Sequence, residues 1–173
     1  QEAMFDANRW ESALGAVAEA CGARVGQLIA LDGQGAVSDH WLTGAPEGFA
    51  AEIEAFGLSN PAINPRLRIG ARAPLLQLVA DQDYVDADER KRSPIYAEMF
   101  EPRDLPFNCQ IVLMREPHTL VRASITRTRK QGAFDHASLA AIKDLVPHLH
   151  AAVRVQTSLL AARCSATLST LEA

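Results

Sequence analysis

The run FDHASLAAIKDLVPHLHAAVRVQTSLL, residues 134–160, decides how the chain is organised. Asp135 stands where a helix N-cap belongs, with Phe134 before it and Leu139 at the fourth helical position, the spacing of a hydrophobic staple. From there Leu139, Ile142, Val146, Leu149, Val153, Gln156 and Leu160 alternate steps of three and four, as a heptad seam does, with Gln156 its single polar member. Beyond Leu160 the register slips to Cys164, Leu168 and Leu171, a stutter-like change. Pro147 falls inside this pattern. An interior proline loses one backbone hydrogen bond and bends the axis. The apolar stripe passes through without a change of phase, so the expectation is one kinked helix rather than two.

Length gives this helix its meaning. About 35 residues at 1.5 Å per residue make a rod of roughly 52 Å. A globule of this size is about 40 Å across. The sequence therefore predicts a helix too long for its own domain, with the seam from Leu149 through Val153, Gln156, Leu160, Cys164, Leu168 and Leu171 covered by a second copy around a two-fold axis.

Working outward, Phe107–Arg115 and Thr119–Thr128 read as two strands around Glu116-Pro117-His118. In the second strand Val121, Ala123 and Ile125 share one face and Arg122, Ser124 and Thr126 the other. The pattern predicts an antiparallel hairpin with one apolar face and one face open to water or a polar ligand. A second hairpin is predicted at Arg24–Leu31 and Ala36–Leu42, joined by Asp32-Gly33-Gln34-Gly35 and preceded by a helix on Trp10, Leu14, Val17, Ala18 and Cys21 that Gly22 stops. Pro46 opens a short helix with Phe49, Ile53 and Phe56 on one face. Asn60-Pro61, Asn64-Pro65, Gly70 and Pro74 read as a long irregular loop, of the kind that covers or binds something. Asp81–Arg92 is dense in charge and reads as solvated, and Ser93-Pro94 reads as the start of a helix that Pro102 ends.

The chain has 173 residues, 48% of them apolar types and 22% charged, with a net charge of −4. That is one globular domain, not a disordered or strongly basic segment. No apolar run approaches the ~18 residues a membrane span needs. Gln1–Trp10 carries Glu2 and Asp6 and no apolar core, so no signal peptide is expected. Cys21, Cys109 and Cys164 lack metal or CxxC spacing and read as buried thiols in a reducing, cytoplasmic compartment. His148 and His150 lie two apart on a helix and point apart, so no metal site is expected there. Gly33-x-Gly35 leads into a strand rather than a helix, which argues against a dinucleotide loop.

The run Leu145-Val146-Pro147-His148-Leu149-His150-Ala151-Ala152 resembles the L-x-P-H-L-x-x-A segment of LuxR-type transcriptional regulators. Ser93-Pro94-Ile95-Tyr96, with Phe100, Pro102 and Leu105, resembles the helix and loop before the second hairpin of the same group. The element order is what a GAF- or PAS-like sensor fold would give. The resemblance implies an α+β fold, an antiparallel sheet with flanking helices, ending in a long C-terminal helix. It implies a sensory core over 1–133 and a dimerisation and signalling helix over 134–173. It further implies a homodimer, no catalysis, and a DNA-binding helix-turn-helix beyond Ala173, so that this chain itself touches no nucleic acid. The cofactor is left unknown.

Candidate ligand contacts come from the aromatic residues of the middle, Trp41, Phe56, Tyr84, Tyr96, Phe100 and Phe107, with His40, Gln110 and Arg122 as polar anchors. They would line a pocket between the sheet and the segments that cover it. A basic hairpin, Arg115, Arg122, Arg127, Arg129 and Lys130, reads as a solvated strand face. Two alternatives remain at this level: a constitutive dimerisation module without ligand, and a small hydrolase or transferase using Cys109 or a histidine.

Overall fold

The computed structural model describes residues 7–58 and 60–171, with the side chains of 7, 8, 160, 161 and 163–171 outside the description. Helix α1 (Ala7–Ala20) leads into strands β1 (Val25–Asp32) and β2 (Val37–Thr43). Two short helices follow, α2 (Phe49–Ala55) and α3 (Pro65–Arg72), then β3 (Leu78–Ala80) with a 3-10 turn at Asp81–Asp83, and helix α4 (Ala87–Arg92). A π-helical turn at Ile95–Phe100 precedes β4 (Phe107–Glu116), β5 (Thr119–Arg127) and the long helix α5 (His136–Leu171). The strands form one antiparallel sheet in the order β2-β1-β5-β4-β3. Among the described residues, no helix is long and apolar enough to cross a membrane.

The period-two alternation read from β5 gives the molecule its two sides. Val121, Ala123 and Ile125 join Leu28, Ala30, Trp41, Cys109, Ile111 and Leu113 on the face that α1 and α5 cover. Arg122, Ser124 and Thr126 point to the other face, under α2, α3 and the π-helical turn. Gly26 is needed on the helix side. A Cβ there would lie 2.5 Å from the backbone oxygen of Leu14, so α1 rests directly on the β1 backbone.

Helix α5 begins as the staple predicts. The Asp135 carboxylate accepts from the Ser138 amide at 2.8 Å, and Phe134 and Leu139 share one apolar cluster. The helix passes through Pro147 as a single element. Its 36 residues make it about 54 Å long.

The seam corrects the expectation built on it. Ile142, Val146 and Val153 are buried against the chain's own sheet, and Leu149 packs there too. His150 meets the Leu113 carbonyl at 2.6 Å, and Thr157 reaches the Met114 sulfur at 3.7 Å. Val153 and Leu149, expected at a dimer interface, therefore serve the intramolecular core. The apolar face of a five-stranded sheet needs cover along its whole width, and α1 alone is too short to give it. Gln156 is half-buried, while the side chains of Leu160, Cys164, Leu168 and Leu171 lie outside the described residues.

Three further readings change. The stretch read as irregular loop contains α3, because Asn64-Pro65 is an N-cap followed by a first-turn proline rather than loop punctuation. The Asn64 side chain accepts from the Arg66 amide at 3.0 Å. Ser93 caps the end of α4, and Ile95–Phe100 winds as a π-helical turn rather than an α-helix. The basic hairpin is only partly a solvated face: Arg115, Arg129 and Lys130 are exposed, but Arg122 and Arg127 are buried, and Arg115 also donates to the carbonyls of Ala71 and Ala73 at the end of α3.

Replacing Gly26 with Ala drives α1 off β1 and costs about 1–3 kcal/mol, the usual penalty of overpacking. Urea denaturation checks this. An unchanged midpoint would contradict the close approach.

Candidate functional site

The polar face of the sheet forms the floor of a cavity of about 90 Å³. Strand register sets the floor in transverse rows. Leu42, Gln27, Ser124 and Gln110 stand opposite one another across β2, β1, β5 and β4. The next row holds His40, Ile29, Arg122 and Val112. Beyond it on the other side, Val25, Thr126 and Asn108 align. Phe49 and Ile53 of α2, Leu58, Arg66 and Leu67 of α3, Phe100 and Leu105 make the walls. The floor is polar along β5 and β4 and mixed along β1 and β2, and the walls are mostly apolar, the usual composition of a small-molecule site.

A buried ion pair fixes one wall. Arg66 donates from Nε and Nη2 to a single carboxylate oxygen of Asp81, at 2.9 and 2.6 Å. Asp81 is 1% exposed, and its other oxygen accepts from the Tyr84 hydroxyl at 2.6 Å. Arg66 Nη2 also donates to the carbonyls of Leu105 and Pro106. Its guanidinium carbon lies 3.6 Å from the centre of the Phe100 ring and 5.3 Å from that of Tyr96. One side chain thus joins α3 to the 3-10 turn, the π-helical turn and the approach to β4. Burial and the Asp81 charge push Tyr84 far above the usual phenol range. Burial pushes Tyr96 up to about 12. Both phenols stay neutral, and neither hydroxyl is poised to ionise.

The floor carries two small hydrogen-bond systems. Ser124 donates to Gln27 Oε1 at 2.9 Å, and the Gln27 amide nitrogen meets His40 Nε2 at 2.8 Å. That order of partners makes Gln27 the donor to His40, whose Nε2 is then the acceptor of a neutral ring. Burial lowers the His40 pKa from its ordinary 6.5, in agreement with a neutral ring. In the other system Arg122 Nη1 donates to Gln110 Oε1 at 2.9 Å and to the Arg66 carbonyl at 3.2 Å. Asn108 donates to the Thr126 hydroxyl at 2.9 Å.

Of the residues expected to meet a ligand, the fold brings His40, Phe100, Gln110 and Arg122 to the cavity. It takes the others elsewhere. Trp41 follows His40 by one residue and so faces the opposite side, in the core under α1 and α5. Phe56 is 37% exposed past the end of α2. Tyr84 and Tyr96 stand behind Arg66 as its supports, and Phe107 packs in the cluster with Ile142. Arg66, Asn108, Gln27 and Ser124 line the cavity without having been singled out for it. The alternation of β5 carried a signal for Ser124. Arg66 carries no such signal, because the Asn-Pro pairs around it have the pattern of a loop.

The chemistry offered to an enzyme reading is poor. Cys109 lies on the helix side of the sheet, and burial pushes its thiol up to about 12. Among the described residues no cluster of three potential metal ligands occurs.

The sequence matches no protein-family model and no curated protein. The fold does have solved counterparts. One is the N-acylhomoserine lactone dependent LuxR family transcription factor CepR2 from Burkholderia cenocepacia, with a TM-score of 0.60, 15% identity, and 86% of this chain and 87% of that one covered. Another is the LBD domain of VqsR from Pseudomonas aeruginosa, at 0.64 and 12%, covering 90% of each chain. A third is a GAF domain/HD domain protein from Geobacter sulfurreducens, at 0.54 and 20%, covering 87% of this chain and 93% of that one. The chain has the fold shared by these LuxR-type ligand-binding domains and by a GAF domain protein, as the sequence resemblance implied.

Two outcomes follow from the site. Asp81→Asn strands a buried guanidinium and costs about 3–5 kcal/mol, measured by denaturant unfolding. His40 is held neutral in the fold, so the unfolded chain takes up its proton first as pH falls below about 6.5. Its contribution is full above that pH and is lost on acidification toward the lowered native pKa. Between pH 7 and 5 the fall in Tm is therefore smaller for His40→Gln than for the parent chain. Equal slopes would contradict a neutral, half-buried His40.

Proposed function

We propose that this chain is the sensory part of a bacterial transcriptional regulator, a non-catalytic domain that binds a small molecule and works as a homodimer. The observation that carries the reading is the cavity itself. It lies between the polar face of the sheet and a roof of short helices, in a fold whose solved counterparts include a transcription factor that depends on N-acylhomoserine lactone. On this reading residues 1–133 form the sensory core and 134–173 the signalling helix, with DNA contact made by a segment outside this chain. The protein acts in the cytoplasm, where such a regulator meets its DNA.

The route from ligand to output follows from the packing. The cavity and α5 lie on opposite faces of the same sheet, so a ligand that presses on Gln110 or Arg122 bears on strands whose other faces hold Ile142, Val146 and Val153. Such a ligand shifts the helix only by its difference in affinity for two arrangements.

The dimer contact moves from the seam to the outer side of α5. Ala152, Val155, Leu159 and Ala162 recur at steps of three, four and three and are all exposed. Val155 is 59% exposed and Leu159 52%. Two such stripes facing each other around a two-fold axis bury one another.

Light scattering on the eluting protein tests this at tens of micromolar. The chain elutes at twice its 18.7 kDa mass, and Val155→Glu with Leu159→Glu gives monomers with an unchanged circular dichroism spectrum. A monomeric parent chain would sink the dimer.

A further inference from the structure

Arg122 occupies the centre of β5, itself the central strand of the sheet, and is 6% exposed. Its cross-strand neighbours in the register are Ile29 and Val112, both apolar. Four other arginines have an evident partner for their charge or their planes. Arg66 has Asp81, Arg103 has Glu52 and Arg129 has Glu101. Arg127 lies over the Phe134 ring and donates to the carbonyls of Cys21 and Ala133. Arg122 meets only two neutral oxygens, both through Nη1. Burial alone pulls its pKa down to about 10, with no carboxylate to oppose the fall.

One donor of Arg122 itself and one of its neighbour Gln110 have no acceptor. Among the described residues, Arg122 Nε and Gln110 Nε2 are buried and have no hydrogen-bond partner. Gln110 has already given its oxygen to Arg122, so its amide can only offer N–H to anything further. The pair is held in place from above. A Cβ on Gly70 would fall 2.0 Å from Arg122 Nη1 and 2.1 Å from Gln110 Oε1, so both groups press on the α3 backbone. Both residues line the cavity, and no carboxylate does among the described residues. A buried cation and two orphaned donors are costly unless an acceptor, best an anionic one, completes them.

We infer that the cavity takes a small organic acid, its carboxylate held by Arg122 and by the Gln110 amide, its apolar body against Leu42, Phe49, Ile53, Phe100 and Leu105. This rests on the cavity being a ligand site and adds the charge of the ligand. The apolar walls favour a carboxylate with a hydrocarbon body over an inorganic anion, and the volume of about 90 Å³ favours a body of a few carbons over a lipid chain.

The test sets butyrate, hexanoate and benzoate beside their neutral amides and inorganic phosphate, with the purified chain, by calorimetry and thermal shift. At least one acid binds about tenfold or more tighter than its amide and raises Tm, and Arg122→Gln removes that preference. The comparison of acid with amide on the unaltered chain holds even where that variant does not fold. Amides that bind as well as the acids would leave a ligand cavity and overturn the carboxylate. Phosphate binding without the acids would also overturn it. No binding by any probe would overturn the proposal and remove its support from the ligand reading as well.

Discussion

The guanidinium of Arg66 holds the covered side of the sheet together. It reaches from α3 to the carboxylate of Asp81, to the carbonyls of Leu105 and Pro106, and to the face of Phe100. Short helices such as α2 and α3 have little stability of their own, since nucleation costs more than a few hydrogen bonds return. They stay over the sheet because something fixes them there. A charged pair this deep is a weak source of net stability, because desolvation cancels most of its attraction. Its value is geometric. Five planar donors in a rigid fork can satisfy a carboxylate and two carbonyls at once, and only one placement of α3 allows it. The cavity is what is left between a roof set by that placement and a floor set by strand register.

The same sheet separates two tasks by alternation. Along β5, odd-numbered positions 121 to 125 enter the core with α1 and α5, and even-numbered positions 122 to 126 enter the cavity. A shift of register by one residue would exchange the two sets entirely. Polar groups in the cavity are therefore one residue away from the hydrophobic contacts that carry the fold. The cavity and the long helix thus share the same strands, and any change in strand twist reaches both.

That alternation was legible in the sequence, and so were the two hairpins, the staple at Phe134 and the long helix. They share a strong local signal: period two, a turn dipeptide, or a cap with its apolar partner. The aromatic residues were not placed by such a signal. Trp41 and His40 are adjacent, and neighbours on a strand face opposite ways, so only one of them can meet the cavity. Tyr84 bonds the nearby Asp81, but Asp81 is anchored by Arg66 fifteen positions before it, and Tyr96 lies under the same arginine, a contact that no local pattern reveals. Asp81 shows the same limit. Its charge reads as solvated until the arginine that neutralises it is known.

The size of the long helix and the face it leaves free are set by different constraints. A rod of about 54 Å does outrun a domain of this size. Yet the length says only that some of the helix projects, not which stripe is free. The heptad seam belongs to the sheet as far as Val153, because an apolar sheet face left bare would cost more than an apolar helix stripe left bare. The stripe through Val155 and Leu159 runs one position ahead of the seam, about 100° around the axis, on a flank of the helix that stays exposed. A helix with apolar residues on two sides of its axis gives one side to the sheet and leaves the other, through Val155 and Leu159, exposed, at a cost in free energy until something covers it.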